Sequence, residues 1–302
     1  CAFVEDDPGL LGERGSRPLP LPCRAVRAPR GPGGPALEGV ADGRTVVHLA
    51  SDRTELLAGP SAALEHALSA IGGAAPHAAA AALRRYAGPG LALRFADGEL
   101  LNLSARVAVM GVLNVTPDSF SDGGRFIDPD GAVGRAEALL EEGADLIDVG
   151  GESTRPGAAP VGAEEERARV VPVIERLRAR RPEARISIDT RKPQVAAAAL
   201  DAGADLLNDV SALGEPGMAQ LASMRGVPVA LMHMRGEPRT MQRDTRYGDL
   251  LGDVLAFLAE RADRARNAGI PDDKILVDPG IGFGKSAHGN EEILRQLGSL
   301  RT

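Results

Sequence analysis

Met110-Gly111-Val112-Leu113-Asn114-Val115-Thr116-Pro117-Asp118-Ser119-Phe120-Ser121-Asp122-Gly123-Gly124 runs an apolar strand straight into an Asn and a polar loop that ends in two glycines. No packing need places those residues directly after such a strand, so the stretch reads as a strand that delivers a ligand-binding loop. The same step recurs downstream. Apolar, strand-like runs fall at 107–113, 145–149, 185–188, 205–207, 228–232 and 274–277, and helical patterns fill the gaps at 130–142, 163–180, 192–202, 216–224, 248–268 and 290–297. Gly-Ala-Asp steps at 143–145 and 203–205, with a looser Ala268-Gly269-Ile270, end helices before the next strand, as glycine does in the left-handed position after a helix.

Alternating strands and helices, with strands that lack polar alternation, imply a parallel sheet covered by helices, either closed as a barrel or open as a doubly wound sheet. The polar residues separate the two. Asn114, residues 150–155, 189–191, 208–211, 233–235 and 278–285 all follow the C-terminal ends of successive strands. In a barrel these ends converge on one mouth, whereas an open sheet gathers its ligand groups at a single switch point. The expected fold is therefore an α/β TIM (β/α)8-type barrel with six βα units present, preceded by a small N-terminal α/β or irregular segment.

Upstream, residues 8–36 carry prolines at 8, 18, 20, 22, 29, 32 and 35, a composition that opposes helix and sheet alike. The expected division is an irregular segment at 1–42, a small accessory segment at 43–90 and the barrel at 91–302. Within the accessory segment, Thr45-Val46-Val47-His48-Leu49 reads as a strand, and 61–71 and 77–86 read as Ala-rich helices. Residues 91–95 and 100–103 form two short strands around Asp97-Gly98, a hairpin that leads into or caps the barrel.

A chain of 302 residues with 43% hydrophobic residues buries a substantial core, and its net charge of −7 argues against a nucleic-acid surface. Any phosphate must be caught locally. Cys1 and Cys23 are the two cysteines, too few for a disulfide framework or a Cys-based metal site, which fits a reducing cytoplasm. Neither a membrane-spanning run nor a signal peptide is legible. With Cys rather than Met as its first residue, the chain is expected to begin at a fragment boundary or a processed end.

Asp189, Asn208 and Asp278 each follow a short apolar strand immediately, so three polar groups facing one mouth can grip a flat heterocycle along its edge. The bland reading is that each caps the following helix. His233 has no partner at metal-ligand spacing and reads as structural. Glu164-Glu165-Glu166 opens a helix and is explained by its dipole. The glycines of Gly280-Ile281-Gly282-Phe283-Gly284-Lys285 fail the order of a P-loop and instead let backbone approach a ligand.

The opening stretch, together with Gly150-Gly151-Glu152-Ser153-Thr154-Arg155-Pro156-Gly157 and Asp278-Pro279-Gly280-Ile281-Gly282-Phe283-Gly284-Lys285, resembles the dihydropteroate synthases of the folate pathway from about residue 98 onward. The resemblance implies condensation of 6-hydroxymethyl-7,8-dihydropterin diphosphate with p-aminobenzoate, giving dihydropteroate and pyrophosphate. It implies that Asp189, Asn208 and Asp278 hold the pterin, and that Asn114 ligates Mg2+. It further implies that Thr154 and Arg155 contact the diphosphate, that Pro156 and Phe283 border the p-aminobenzoate site, and that Lys285 binds substrate. Asp118, Phe120 and Asp122 would order a closing loop, with Asp118, Asp122 and Arg155 as the catalytic set. It implies a homodimer whose partners are small molecules. The family's last two strands carry Ser-Arg-Lys and Arg-x-His motifs that do not occur in this sequence, so the chain as written is expected to be inactive. The alternatives are a methyltetrahydrofolate-dependent methyltransferase barrel, which needs no diphosphate site, and a non-catalytic pterin-binding remnant.

Overall fold

The computed structural model describes residues 91–116 except 105, 128–153, 160–236 and 240–301, with the backbone of four strands nearer the N-terminus. The helices expected at 61–71 and 77–86 lie outside the described residues. The chain divides into two compact units, Cys1–Pro89 with Glu292–Thr302, and Gly90–Glu291.

In the first unit β1 (Ala2–Glu5), β2 (Arg24–Arg27), β3 (Thr45–Leu49) and β4 (Glu55–Gly59) form an antiparallel sheet in the order β1-β3-β4-β2. β1 and β2 lie within 1–42, and the sheet takes strands from both sides of residue 42. The physical reason is local. Ala2–Glu5 and Arg24–Arg27 are Pro-free windows of four residues, and both are edge strands, where nearby prolines cost no ladder hydrogen bond.

The second unit opens with a hairpin of β5 (Ala92–Arg94) and β6 (Leu100–Asn102), paired antiparallel as expected. Six strands then alternate with six helices. They are β7 (Met110–Asn114), α1 (Pro129–Glu141), β8 (Leu146–Gly150), α2 (Ala163–Arg180), β9 (Arg185–Asp189), α3 (Pro193–Asp201), β10 (Leu206–Asp209), α4 (Met218–Arg225), β11 (Val229–Met232), α5 (Leu250–Asn267), β12 (Ile275–Asp278) and α6 (Ala287–Arg295). The strands are parallel and lie side by side in chain order, β7 through β12. Strand order never reverses, so the sheet has no switch point and is the wall of a TIM-type barrel; β7 and β12 are its edges among the described residues.

Side chains alternate across this wall. One parity, the row Leu113, Val149, Ile188, Leu207 and its neighbours Ile147, Ile186, Val229 and Leu231, packs against α1 to α4 in a single core. The other parity faces inward. At its N-terminal end Leu146, Leu206 and Ala230 pack against Leu93 and Phe95 of the hairpin segment, so the hairpin plugs the bottom of the wall. Phe95 is 2% exposed, and the Arg185 guanidinium lies 4.2 Å over its ring.

Two Gly-Ala-Asp steps explain how the helices re-enter the sheet. Gly143 and Gly203 have φ of 109° and 110°, which L-residues with side chains avoid. The Asp that follows then pins the start of a neighbouring strand: Asp145 accepts from Val109 N at 2.8 Å and Asp205 from Ile186 N at 2.8 Å. Arg106 beside Asp145 holds that carboxyl down to about 2.

Removing the plug tests this arrangement. Phe95→Ala should lower unfolding free energy by about 3–5 kcal/mol, read from urea denaturation of the full chain; a loss under roughly 1 kcal/mol would mean that the hairpin is not part of the core.

Candidate functional site

Strand pairing sets the site. Asn114 pairs with Gly150, Gly150 with Asp189, and Asp189 with Asn208, so these residues form one inward-facing row toward the C-terminal ends of four strands, and the row continues to Ala230 within β11. Gly150 leaves a gap in that row. A methyl group placed there would lie 3.4 Å from Asp189 Oδ2 and 3.9 Å from Asn114 Oδ1, so both oxygens converge on the space above the glycine. Asp278 pairs with Met232, and Leu276 with Ala230, which puts Asp278 two residues beyond the row on the same face.

The helix-capping alternative fails for two of the three. The residue capping α3 is Lys192 and that capping α4 is Gly217, neither with a side-chain cap, so Asp189 and Asn208 cap no helix. Asp278 Oδ1 accepts from Gly280 N at 2.7 Å, closing the turn after β12.

Beneath the row lies a residue that strand patterning did not single out. Asp148, in the middle of β8, is 5% exposed and pairs in register with Val112 and Ser187. Its Oδ2 accepts from Asn208 Nδ2 at 2.9 Å, while Oδ1 has no partner. Burial pushes the Asp148 carboxyl up, against the opposing pull of Ser187 and Asn208. Asp189 is pushed well above the ordinary carboxylate range, first by burial and then by the negative charges of Asp148, Glu166, Asp209 and Glu152. Its carboxyl makes no hydrogen bond among the described residues, so a donor or cation entering the mouth meets unsatisfied acceptors. Next to the row, buried Asp209 accepts from Ser211 N and Leu213 N, both at 2.8 Å, and thereby holds Ala212 and Leu213 at φ of 50° and 60°.

A second ionic cluster ties β8, α2 and α3 together. Lys192 Nζ donates to Glu152 Oε2 at 2.6 Å and also to Glu166, which is 1% exposed. Glu152 Oε1 accepts from Val161 N at 3.1 Å, and Arg169 Nη1 donates to Gly151 O at 2.7 Å. Glu166 is therefore more than a helix-dipole residue: it is a buried partner of a lysine 26 positions away. Thr154, Arg155 and Pro156, like Asp118, Phe120 and Asp122, lie outside the described residues.

The loops after β11 and β12 interlock. Lys285 is 3% exposed, and its Nζ donates to His233 Nδ1 at 2.9 Å and to the carbonyls of Gly280, Phe283 and His233 at 2.9, 3.0 and 3.2 Å. The ammonium is thus engaged with its own loop, where the sequence suggested a substrate contact. The loop's glycines serve the same closure: a methyl group on Gly280 would sit 2.0 Å from His233 O, so it is backbone of the β11 loop, not a ligand, that approaches there. Gln242 Nε2 donates to Gly282 O at 2.7 Å and Tyr247 Oη to Gly284 O at 3.0 Å, which fixes the backbone on both sides of half-buried Phe283. The His233 ring meets Phe257 edge-on, with ring centroids 5.1 Å apart. Burial, then the charge of Lys285, holds its pKa down to about 4, and burial holds that of Lys285 down to about 8.

Comparison with known proteins places this geometry among relatives. The family described as "Pterin binding enzyme" matches residues 110–302. The chain is 49% identical over 203 residues to the dihydropteroate synthase of Escherichia coli (strain K12), covering 67% of this chain and 71% of that one. The structure of Xanthomonas albilineans dihydropteroate synthase with 4-aminobenzoic acid matches with a TM-score of 0.64 at 48% identity, over 70% of this chain and 74% of that one. A Yersinia pestis dihydropteroate synthase in complex with a sulfonamide drug matches with a TM-score of 0.63 at 48% identity, over 68% and 74%.

The neutral His233 has a measurable consequence. An unfolded chain takes up a proton on this residue near 6.5 and the folded one near 4, so between those values the unfolded state binds more protons and stability rises with pH. The urea midpoint of the wild type should climb from pH 4 to 6.5, and His233→Gln should flatten that climb. An unchanged slope in the variant would assign it to other groups.

Proposed function

The chain belongs to the dihydropteroate synthases of the pterin-binding enzyme family, and on that premise we propose that Asp189, Asn208 and Asp278 hold the pterin edge-on at the mouth of the sheet. The observation that supports this reading is the strand register, which puts all three residues on one inward face toward the C-terminal strand ends. The amino-pyrimidine edge of a pterin offers an N–H beside an exocyclic amine, a donor pair that a carboxylate accepts through both oxygens. Asp278 is the partner of that pair. Relatives at 48–49% identity bear the synthase name, so the methyltransferase alternative is set aside.

The reaction is a substitution at carbon. The amine nitrogen of p-aminobenzoate bonds to the pterin's exocyclic methylene, the carbon–oxygen bond to the diphosphate breaks with its electron pair, and the amine gives up a proton. Holding the two reactants in line supplies much of the acceleration. Asp189, surrounded by other carboxyls, favours cationic character developing on the pterin. We assign Thr154 and Arg155 to binding the diphosphate, Pro156 and Phe283 to binding p-aminobenzoate, and Asp118, Phe120 and Asp122 to ordering the second substrate. The hydrogen bonds around Gly282 and Gly284 support a fixed position for Phe283.

Mg2+ belongs to the same proposal. Among the described residues no group of three or more His, Cys, Asp or Glu side chains could cage an ion, but the space over Gly150 is bordered by Asn114 Oδ1 and Asp189 Oδ2. That donor set suits a hard cation that keeps its waters and leans on substrate phosphates, with Asn114 as the protein ligand. When bound, Mg2+ supplies neutralising charge to the leaving diphosphate. We extend the proposal to sulfonamides as competitors of p-aminobenzoate, to a homodimer and to a cytoplasmic location; no helix among the described residues is long and apolar enough to cross a membrane.

Asp278→Asn should weaken binding of the dihydropterin about 10–100-fold by titration calorimetry, as loss of a charge-assisted pair implies; an unchanged affinity removes Asp278 from the site. Asn114→Ala should abolish the Mg2+-dependent part of diphosphate-substrate binding while leaving affinity for the unphosphorylated pterin within about twofold. Equal Mg2+ dependence in both proteins would exclude Asn114 as the ligand.

A further inference from the structure

Asp148 has no evident use in packing. Its row neighbours are Val112 on β7 and Ser187 on β9, and Leu206 continues the row on β10, so an apolar or small residue would fit the same space. A carboxyl that is 5% exposed, with Oδ1 unpartnered, is a costly occupant of such a position. Its hydrogen bond to Asn208 leads to the site: Oδ2 accepts from Asn208 Nδ2 at 2.9 Å, across the intervening strand β9.

A carboxamide donates only from its nitrogen, so the Asp148 oxygen that accepts from Asn208 Nδ2 discriminates between the two ends of that group. With Nδ2 drawn toward Asp148, Oδ1 of Asn208 is left without a partner among the described residues, in the same row as Asp189. An Asn without this anchor turns over about its last torsion at little cost and presents either a donor or an acceptor. With it, Asn208 joins Asp189 and Asp278 as a third acceptor at the mouth.

We infer that Asp148 is a positioning residue that locks the Asn208 carboxamide with its oxygen toward the ligand, and thereby makes the pocket select a heterocycle edge built of donors. This inference rests on the pterin reading above and deepens it. It concerns discrimination rather than turnover. The ring it favours carries an amino group at the edge, and the ring it rejects is the same heterocycle with a carbonyl in that place. A site built around fixed acceptors rejects such an analogue because its own oxygens are left facing another oxygen.

The test measures dissociation constants of the full chain for 6-hydroxymethyl-7,8-dihydropterin and for its 2-oxo counterpart, in wild type and in Asp148→Asn. The wild type should prefer the 2-amino ring by at least about tenfold, and the variant should lose about tenfold of that preference through tighter binding of the 2-oxo ring. A merely structural role for Asp148 would weaken both rings together. A preference retained within about twofold overturns the inference and leaves the pterin reading standing. Binding of neither ring by the wild type overturns both. A second measurement needs no variant: in the wild type without ligand, the side-chain amide protons of Asn208, assigned by selective 15N labelling, should exchange slowly with solvent. Exchange at the rate of an exposed Asn overturns the proposed anchor.

Discussion

The pleat of a parallel sheet governs this molecule. Every second residue of β7 to β11 is committed to the helix-facing core, where Leu113, Val149, Ile188 and Leu207 pair in one row. Polar groups have only the other parity, and of that parity the N-terminal positions are taken by Leu146, Leu206 and the hairpin's Leu93 and Phe95. What remains is the C-terminal end of the inward face. The register that aligns the core row also aligns Asn114, Gly150, Asp189 and Asn208, because a slip by one residue would exchange the two sets entirely.

Concentrating carboxyls there has an electrostatic cost that serves binding. Asp189 lies among Asp148, Glu166, Asp209 and Glu152, and together with burial these charges disfavour its ionised form. Such a site is stabilised by whatever brings donors or positive charge into it, as the edge of a pterin and a hard cation both do. The strain tolerated next to it, in Ala212 and Leu213, is held by hydrogen bonds to Asp209.

Two lysines, half-buried Lys192 and buried Lys285, divide the labour of holding loops. Lys192 bridges Glu152 and Glu166 and so fixes the start of the loop after β8 against α2. Lys285 has no carboxylate within hydrogen-bonding distance among the described residues; it gathers three carbonyls and the neutral ring of His233, tying the loops after β11 and β12 together. In both cases the lysine's ammonium is met by acceptors of the protein itself.

The strand and helix alternation was legible because it is local: apolar runs, the Gly-Ala-Asp steps and polar residues after each strand placed β7 to β12 within a few residues of where they lie. Asp189, Asn208 and Asp278 could be chosen as a set for the same reason, since each is adjacent in sequence to the strand that carries it. A charged residue inside the otherwise apolar Leu146-Ile147-Asp148-Val149-Gly150 was a signal in plain sight, but its partner is 60 positions away. Likewise Lys192 finds Glu166 across 26 positions and Lys285 finds His233 across 52. The pairing of β1 and β2 into a sheet with β3 and β4 spans a proline-rich interval whose composition spoke against it. Periodicity determined which residues face inward and where the strands end; which of those inward residues touch one another was decided by the stagger and curvature of the folded sheet, because distance across strands is not encoded in any local window.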